Sequence, residues 1–408
     1  MKRFWIGIPG LLAFLLVGCG SDAPPGARVT KTITLDSALT RMQNVQLLRT
    51  GADFVLVGYE NGRVAWGRLS EAGELTGETG FALPEPVLGP FFTAVKKAAP
   101  GDQLITVVVN QGVDGGFQLQ GFVHNPGDLQ ATGPVVLSVL PGGVTKDMIR
   151  VSAGVAQSGN VGLVTWGFQG QGVAPKYRFL GPDATLLGEE GKIGDAAIAL
   201  DVVKWDCLKI LQTGTPLGIA LAYPFEQTDG TIVEGTYGFE RFELGETSVI
   251  SDTPMQLQAS VKACQITGAP TSDGYAMAWK NDSGIFAGRL YNPVGASMNA
   301  TVITHMVLAT TQFSTPKDIP TPVFISPVGP DSVLGLSRET GPLISRFSYD
   351  GAAHGSSLVL PSATGKTSPM VGWVGPSKTF VTYADVSKVA PFAVTKRYFL
   401  QVEFPATL

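Results

Sequence analysis

One pattern constrains this chain more than any other: a short apolar strand that returns at an even interval. It ends in an aromatic residue at Tyr59, Trp166, Tyr223, Trp279 and Tyr383, and in Val109 and Leu336 at the two intervening places. The intervals between these strand ends are 50, 57, 57, 56, 57 and 47 residues. Self-similarity at such a period marks a repeat architecture. A second strand follows each of these and sets an arginine before an apolar residue: Arg68-Leu69, Arg178-Phe179, Arg241-Phe242, Arg289-Leu290, Arg346-Phe347 and Arg397-Tyr398. Only the second unit departs, with Gly121-Phe122 there. Turn residues come next, as in Glu71-Ala72-Gly73, Asn125-Pro126-Gly127, Gly181-Pro182-Asp183, Asn292-Pro293 and Asp350-Gly351. Glycine, proline, asparagine and aspartate let the chain reverse there. The remaining length of each unit holds two further strands. One is expected at 257–264, whose alternation reads as the strand leading into the Trp279 strand.

Four antiparallel strands in each of seven units is the arithmetic of a β-propeller. A blade has apolar faces it cannot bury alone. A ring of blades buries them and leaves no long free edge. The expected fold is all-β: a seven-bladed β-propeller of four-stranded antiparallel blades over residues 29–408. The resemblance to propellers rests on period and strand pattern, not on a named blade signature. The last unit stops after its third strand, Phe399-Leu400-Gln401-Val402-Glu403-Phe404, and lacks an outer one. Thr30-Lys31-Thr32-Ile33-Thr34-Leu35 is a spare strand ahead of the first unit, which begins near Asn44. The N-terminal strand is therefore expected to complete the last blade and close the ring.

The N-terminus carries a different message. Lys2 and Arg3 precede an apolar run from Phe4 to Val17, 14 residues long. A bilayer-spanning helix needs about 20 residues, so the run reads as a secretory signal. It ends in Leu16-Val17-Gly18-Cys19. This resembles the lipobox of bacterial lipoproteins, in which the cysteine is lipidated and becomes the new N-terminus. The resemblance implies a signal peptide at 1–18, a lipid on Cys19, and export to the cell envelope. Gly20 rather than Asp follows the cysteine, which by the same resemblance leans toward the outer membrane. Residues 19–28 are rich in Gly, Ser, Pro and Ala and read as a flexible tether. No later apolar run approaches bilayer-spanning length, so the lipid is the expected membrane partner.

Charged residues make up only 15% of the chain and the net charge is −4, so no basic patch suits a nucleic acid. Cys207 and Cys264 are the two cysteines besides Cys19. Each precedes an aromatic strand end, Tyr223 or Trp279, by a similar distance. They are expected at one level on the inner strands of adjacent blades, where an exported protein can form a disulfide. Two separately buried thiols are the alternative.

Catalytic signatures are sparse. His124, His305 and His354 fall in different units without metal-ligand spacing. Gly365-Lys366-Thr367 ends like a phosphate loop, but Leu360 stands where its first glycine must be. Thr271-Ser272-Asp273-Gly274 is only a loose echo of the sialidase Asp-box. The Asp-Gly pairs at Asp114, Asp229, Asp273 and Asp350 read as turns. No catalytic residue, metal ligand or cofactor is assigned. The repeated arginines and the aromatic ladder read as devices that fasten one blade to the next. Ligand-binding candidates come from the unit that departs from the repeat. The long span from Tyr223 to Arg241 holds Glu226, Asp229, Glu234 and Tyr237. The leading functional expectation is a lipid-anchored propeller that binds or scaffolds a protein or an envelope polymer. The alternative is a carbohydrate-active propeller enzyme, a glycan hydrolase or lyase.

Overall fold

The computed structural model describes residues between Arg28 and Glu403, leaving out 193–208, 259–265, 292–301, 310–319 and several shorter stretches; over 209–258 it describes the backbone alone. Among the described residues the seven expected units are seven antiparallel sheets, each built on a four-stranded path. Blade 1 runs through Gln43–Thr50, Asp53–Glu60, Arg63–Leu69 and Leu75–Ala82. Blades 2 to 6 occupy 88–139, 149–192, 209–251, 266–309 and 321–359. Blade 7 combines Val371–Val374, Lys378–Val386 and Val394–Glu403 with the N-terminal strand Arg28–Leu35. That last pairing runs from Arg28↔Glu403 to Leu35↔Arg397, so the outer strand of the last blade comes from the start of the chain. The first strands of successive blades lie against one another around the whole circuit, the seventh against the first.

One strand departs from the sequence reading. Leu257 and Gln258 do not open blade 5. They belong to Met255–Gln258, which pairs with Thr236–Phe239 in the 13-residue third strand of blade 4. The first strand of blade 5 is Ile266–Thr271. Alternation identifies a half-buried strand, but an outer and an inner strand can share it.

The cores explain why the ring forms. Trp166, Val164 and Ile149 of blade 3 pack with Ile105, Val107 and Leu119 of blade 2. Trp66 and Phe81 of blade 1 pack with Phe92 and Leu104 of blade 2. Phe380 and Phe399 of blade 7 pack with Phe54 and Leu56 of blade 1. Each cluster lies between two blades, so a single sheet would leave it in water. The second strand of blade 2 shows the consequence for sequence. Eight consecutive residues, Asp102 to Val109, are buried, because a neighbour covers each face and alternation is no longer required.

The meander gives the ring two unlike faces. Turns joining first to second and third to fourth strands lie on one, here the turn face. Turns joining second to third strands, and the connections between blades, lie on the other, the loop face. Glu403 ends a third strand, so its partner Arg28 leaves the molecule through the turn face.

Candidate functional site

Three of the repeated arginines, Arg68, Arg178 and Arg397, fasten neighbouring blades. Arg68 of blade 1 meets Asp53 at 2.7 Å and, across the junction, Asp102 of blade 2 at 3.1 Å. Asp102 is 2% exposed and also accepts from the Thr50 hydroxyl at 2.9 Å. Arg178 of blade 3 reaches back to the Leu137 carbonyl of blade 2. Arg397 of blade 7, 3% exposed, donates to the carbonyls of Leu39 and Met42 at 3.1 and 2.8 Å. Those residues lie on the segment that crosses into blade 1. Burial lowers the pKa of Arg397 to about 10. Blade 2, without the arginine, is held from the other side. The blade 3 turn at Pro182–Ala184 docks on it, and Asp183 takes bonds from Lys97 (2.6 Å) and Gln103 (2.8 Å). The Lys97 bond is the main reason the Asp183 carboxyl sits below its ordinary pKa. Gly121 leaves room there, for a Cβ would lie 3.3 Å from that of Ala184.

On the loop face the connections are stiffened by proline at Pro84, Pro86, Pro141 and Pro361. The connection into blade 7 is tied down further. Asp385, fully buried, accepts from the Ser362 hydroxyl (2.7 Å), the Ala363 amide (3.0 Å) and the Tyr398 hydroxyl (2.8 Å). Tyr383 donates to the Pro361 carbonyl at 2.6 Å. Burial raises the Tyr383 pKa, with the charges of Tyr398 and Asp385 adding to it. Tyr398 rises to about 12 for the same first reason, with Asp385 contributing through its bond and charge. Thr367 bridges to Asp385, so Gly365-Lys366-Thr367 belongs to a structural connection. His124 is a core residue, stacked on Phe81 at 4.9 Å and edge-on to Trp66 at 5.3 Å.

A cleft of about 500 Å³ opens beside blade 1, lined by Met42, Glu60, Arg63, Val64, Ala65, Glu78, Thr79 and Gly80. Ligand pockets are of this order of size. Its origin is legible in the residues. Gly58 lies opposite Ala65, Gly67 opposite Glu78, and Ala65 opposite Gly80. Small residues thus line one flank of the blade. Met42 and Leu39 fill the inner part of that hollow: a Cβ on Gly58 would lie 2.3 Å from the Met42 Cβ, and one on Gly67 would lie 2.7 Å from Leu39 Cδ1. The part toward Glu60 and Arg63, at the second-to-third strand turn, stays open. Arg63 and Glu78 are exposed and Glu60 is half-buried.

The residues singled out from sequence fall elsewhere. Cys19, Cys207, Cys264 and Asp229 lie outside the described residues, and so do the side chains of Glu226, Glu234 and Tyr237. The backbones of these three belong to Gly218–Glu226 and Ile232–Leu244, with Glu226 opposite Ile232 and Pro224 opposite Tyr237. Among the described residues no His, Cys, Asp and Glu group could hold a metal ion, and no helix is long and apolar enough to cross a membrane.

No family model matches the chain, and no curated protein matches it by sequence. Among solved structures it is similar in fold to polysaccharide lyase Uly1, at 10% identity over 88% of this chain and 90% of that one, with a TM-score of 0.49. It is also similar to the Dos1 propeller, at 9% identity over 87% and 77%, TM-score 0.46. The WD40 domain of SCAP from fission yeast gives 9% identity over 92% and 98%, TM-score 0.44. Likenesses this distant transfer no activity.

Proposed function

We propose that this protein is an exported lipoprotein, anchored through Cys19 in the outer membrane, whose propeller binds or scaffolds a protein or envelope polymer on its loop face. One observation carries the reading: the chain leaves the propeller at Arg28 through the turn face. Arg28 follows Cys19 by nine positions. Extended, such a tether reaches about 30 Å. The turn face then looks toward the lipid and the stiffened loop face looks away, available to a partner. A stiff surface suits binding, because little ordering entropy is lost on contact. Glu60, Arg63 and Glu78 have the chemistry an enzyme would want. Their position at the solvent surface suits recognition better, since an acid that works at neutral pH is held in a desolvated pocket.

Two measurements test this. Cys19→Ser is expected to move the protein from the membrane fraction to the soluble fraction, still folded. Retention in the membrane would overturn the anchor. A photo-crosslinking residue at Val113, fully exposed at the tip of a loop-face turn, is expected to capture a partner in intact envelopes. The same probe at Ala72 on the turn face is expected to capture none. The opposite pattern would overturn the orientation. Release of a sugar product from envelope glycans would favour the carbohydrate-active alternative.

A further inference from the structure

The rim of blade 2 is unlike the rims around it. The outermost strand of a blade has a free edge, and charged side chains commonly guard such edges. The outer strand of blade 1 carries Glu78, that of blade 3 carries Glu189, Glu190 and Lys192, and that of blade 7 carries Arg28 and Lys31. The outer strand of blade 2, Thr132–Val139, has no charge. It exposes Val136 at 45% and Val139 at 62% instead. Both valines stand on one side of the blade. Val136 lies opposite Gln120 and Val139 opposite Gln118, with Leu137 as the extra residue of a bulge between them. That side looks toward blade 1, since Val108, the other cross-strand neighbour of Gln120, packs into the blade 1 core. Val135 and Leu137 pack the other way, toward blade 3, where the Ser138 hydroxyl donates to Glu190 at 3.3 Å. Beside the valines the amides brace one another: Asn110 donates to Gln120 at 2.9 Å and Gln120 to Gln118 at 3.3 Å. The patch is therefore firm, apolar and uncharged. A backbone ladder along this edge is blocked. Pro134 lacks an N–H, the bulge bends the strand, and Arg178 reaches the Leu137 carbonyl. Any contact here runs through side chains.

We infer that this patch meets the same patch on a second copy of the chain, side by side in the membrane. The inference rests on the anchor reading. Two copies tethered in one leaflet both turn their turn faces to the lipid, so a two-fold axis between them stands along the membrane normal. Outer strands run from turn face to loop face and lie along that axis. Val136 is then level with Val136 of the second copy, and Val139 with Val139. A two-fold contact sets each group near the axis against its own kind. An uncharged patch tolerates this, whereas the charged rims of blades 1, 3 and 7 would repel themselves. The valines and their surroundings fall short of the roughly 800 Å² per partner typical of a stable complex in solution. Confinement to one membrane offsets the deficit by raising the effective concentration.

The probe is Val139→Cys in the full-length protein, reconstituted into phosphatidylethanolamine–phosphatidylglycerol vesicles. Mild oxidation is expected to give a disulfide-linked dimer, because the axis sets each new thiol beside its copy. The parent chain, which keeps its own cysteines, sets the background. Val359→Cys, 56% exposed on blade 6, is expected to crosslink at least tenfold less. Adding Val136→Glu to Val139→Cys is expected to lower the dimer at least tenfold. Its side chain reaches solvent, so an unchanged melting curve is expected, and the loss then reports the contact and not misfolding. The domain released by Cys19→Ser is expected to crosslink through Val139→Cys at least tenfold less at micromolar concentration. Equal yields from the two cysteine positions, or a yield that Val136→Glu leaves unchanged, would overturn the interface. So would capture of a different protein by Val139→Cys in intact envelopes with no dimer formed. The anchor fails separately. If Cys19→Ser releases the protein and Val139→Cys gives no dimer on vesicles, the anchor stands and the interface does not.

Discussion

Blades 2 and 7 reach one four-stranded plan by different routes. Blade 2 is a single run of chain, and each of its ladders joins strands adjacent in sequence. Blade 7 takes its outer strand from residues 28–35 and its third from 394–403. Its last ladder therefore closes a loop through every other blade. Local pairing loses little loop entropy, whereas pairing of the two ends must wait for the ring to assemble. The closing joint carries the corresponding reinforcements. Arg397 is buried there, Leu39 and Met42 plug the flank of blade 1, and the Lys31 ammonium reaches the Ala72 carbonyl on a blade 1 turn.

The sharpest way to break this comparison is to delete residues 29–36. Loss of the cooperative thermal transition is expected, read by circular dichroism, with rapid proteolysis across the ring. A parental melt would mean that blade 7 closes without its outer strand. Arg397→Ala comes next. It strands two carbonyls in the core and is expected to cost about 3 kcal/mol by chemical denaturation. Asp102→Asn at the blade 1–2 junction is expected to cost about 2 kcal/mol, because its bond to Arg68 loses its charge. Arg178→Ala, whose one bond to Leu137 is long, is expected to cost less than about 1 kcal/mol. If Arg178→Ala proved as damaging as Arg397→Ala, the closing joint would be no different from an internal one.

The smallest effect is alkaline. Tyr383 and Tyr398 are acids whose pKa rises on folding, so their contribution to stability is complete below pH 10. It is lost as pH climbs from 10 through about 12. Arg397 works in the opposite direction. Its folded pKa of about 10 lies below the ordinary 12.5, so it releases its proton first in the fold and adds stability across that interval. Ultraviolet titration is expected to show a late tyrosine component that Tyr398→Phe reduces. Ionisation of all tyrosines near pH 10 would contradict the burial of this pair.

The ring was readable because it rests on periodicity. Tyr59, Trp166, Trp279 and Tyr383 mark true second strands, and the spare strand at 30–35 pointed to the closure. Position within a blade was less readable: 257–264 looked like an inner strand because inner and outer strands both alternate. The cleft left almost no trace. Its cause, a flank of Gly58, Ala65, Gly67 and Gly80, depends on which residues face each other across three strands. Glu60 and Arg63 look like ordinary residues flanking an Asn61-Gly62 turn. The departing loop around Glu226 to Tyr237 drew attention because length is visible in a sequence and register is not.

The outlet at Arg28 has a mechanical corollary. A membrane lipid drawing on Cys19 would pull the N-terminal strand lengthwise, out through the turn face. Its bonds to the third strand of blade 7 run crosswise to that strand, so they would be strained together in shear and not peeled apart one at a time. The joint with the most to lose from thermal opening is thus placed to resist force in its strongest direction.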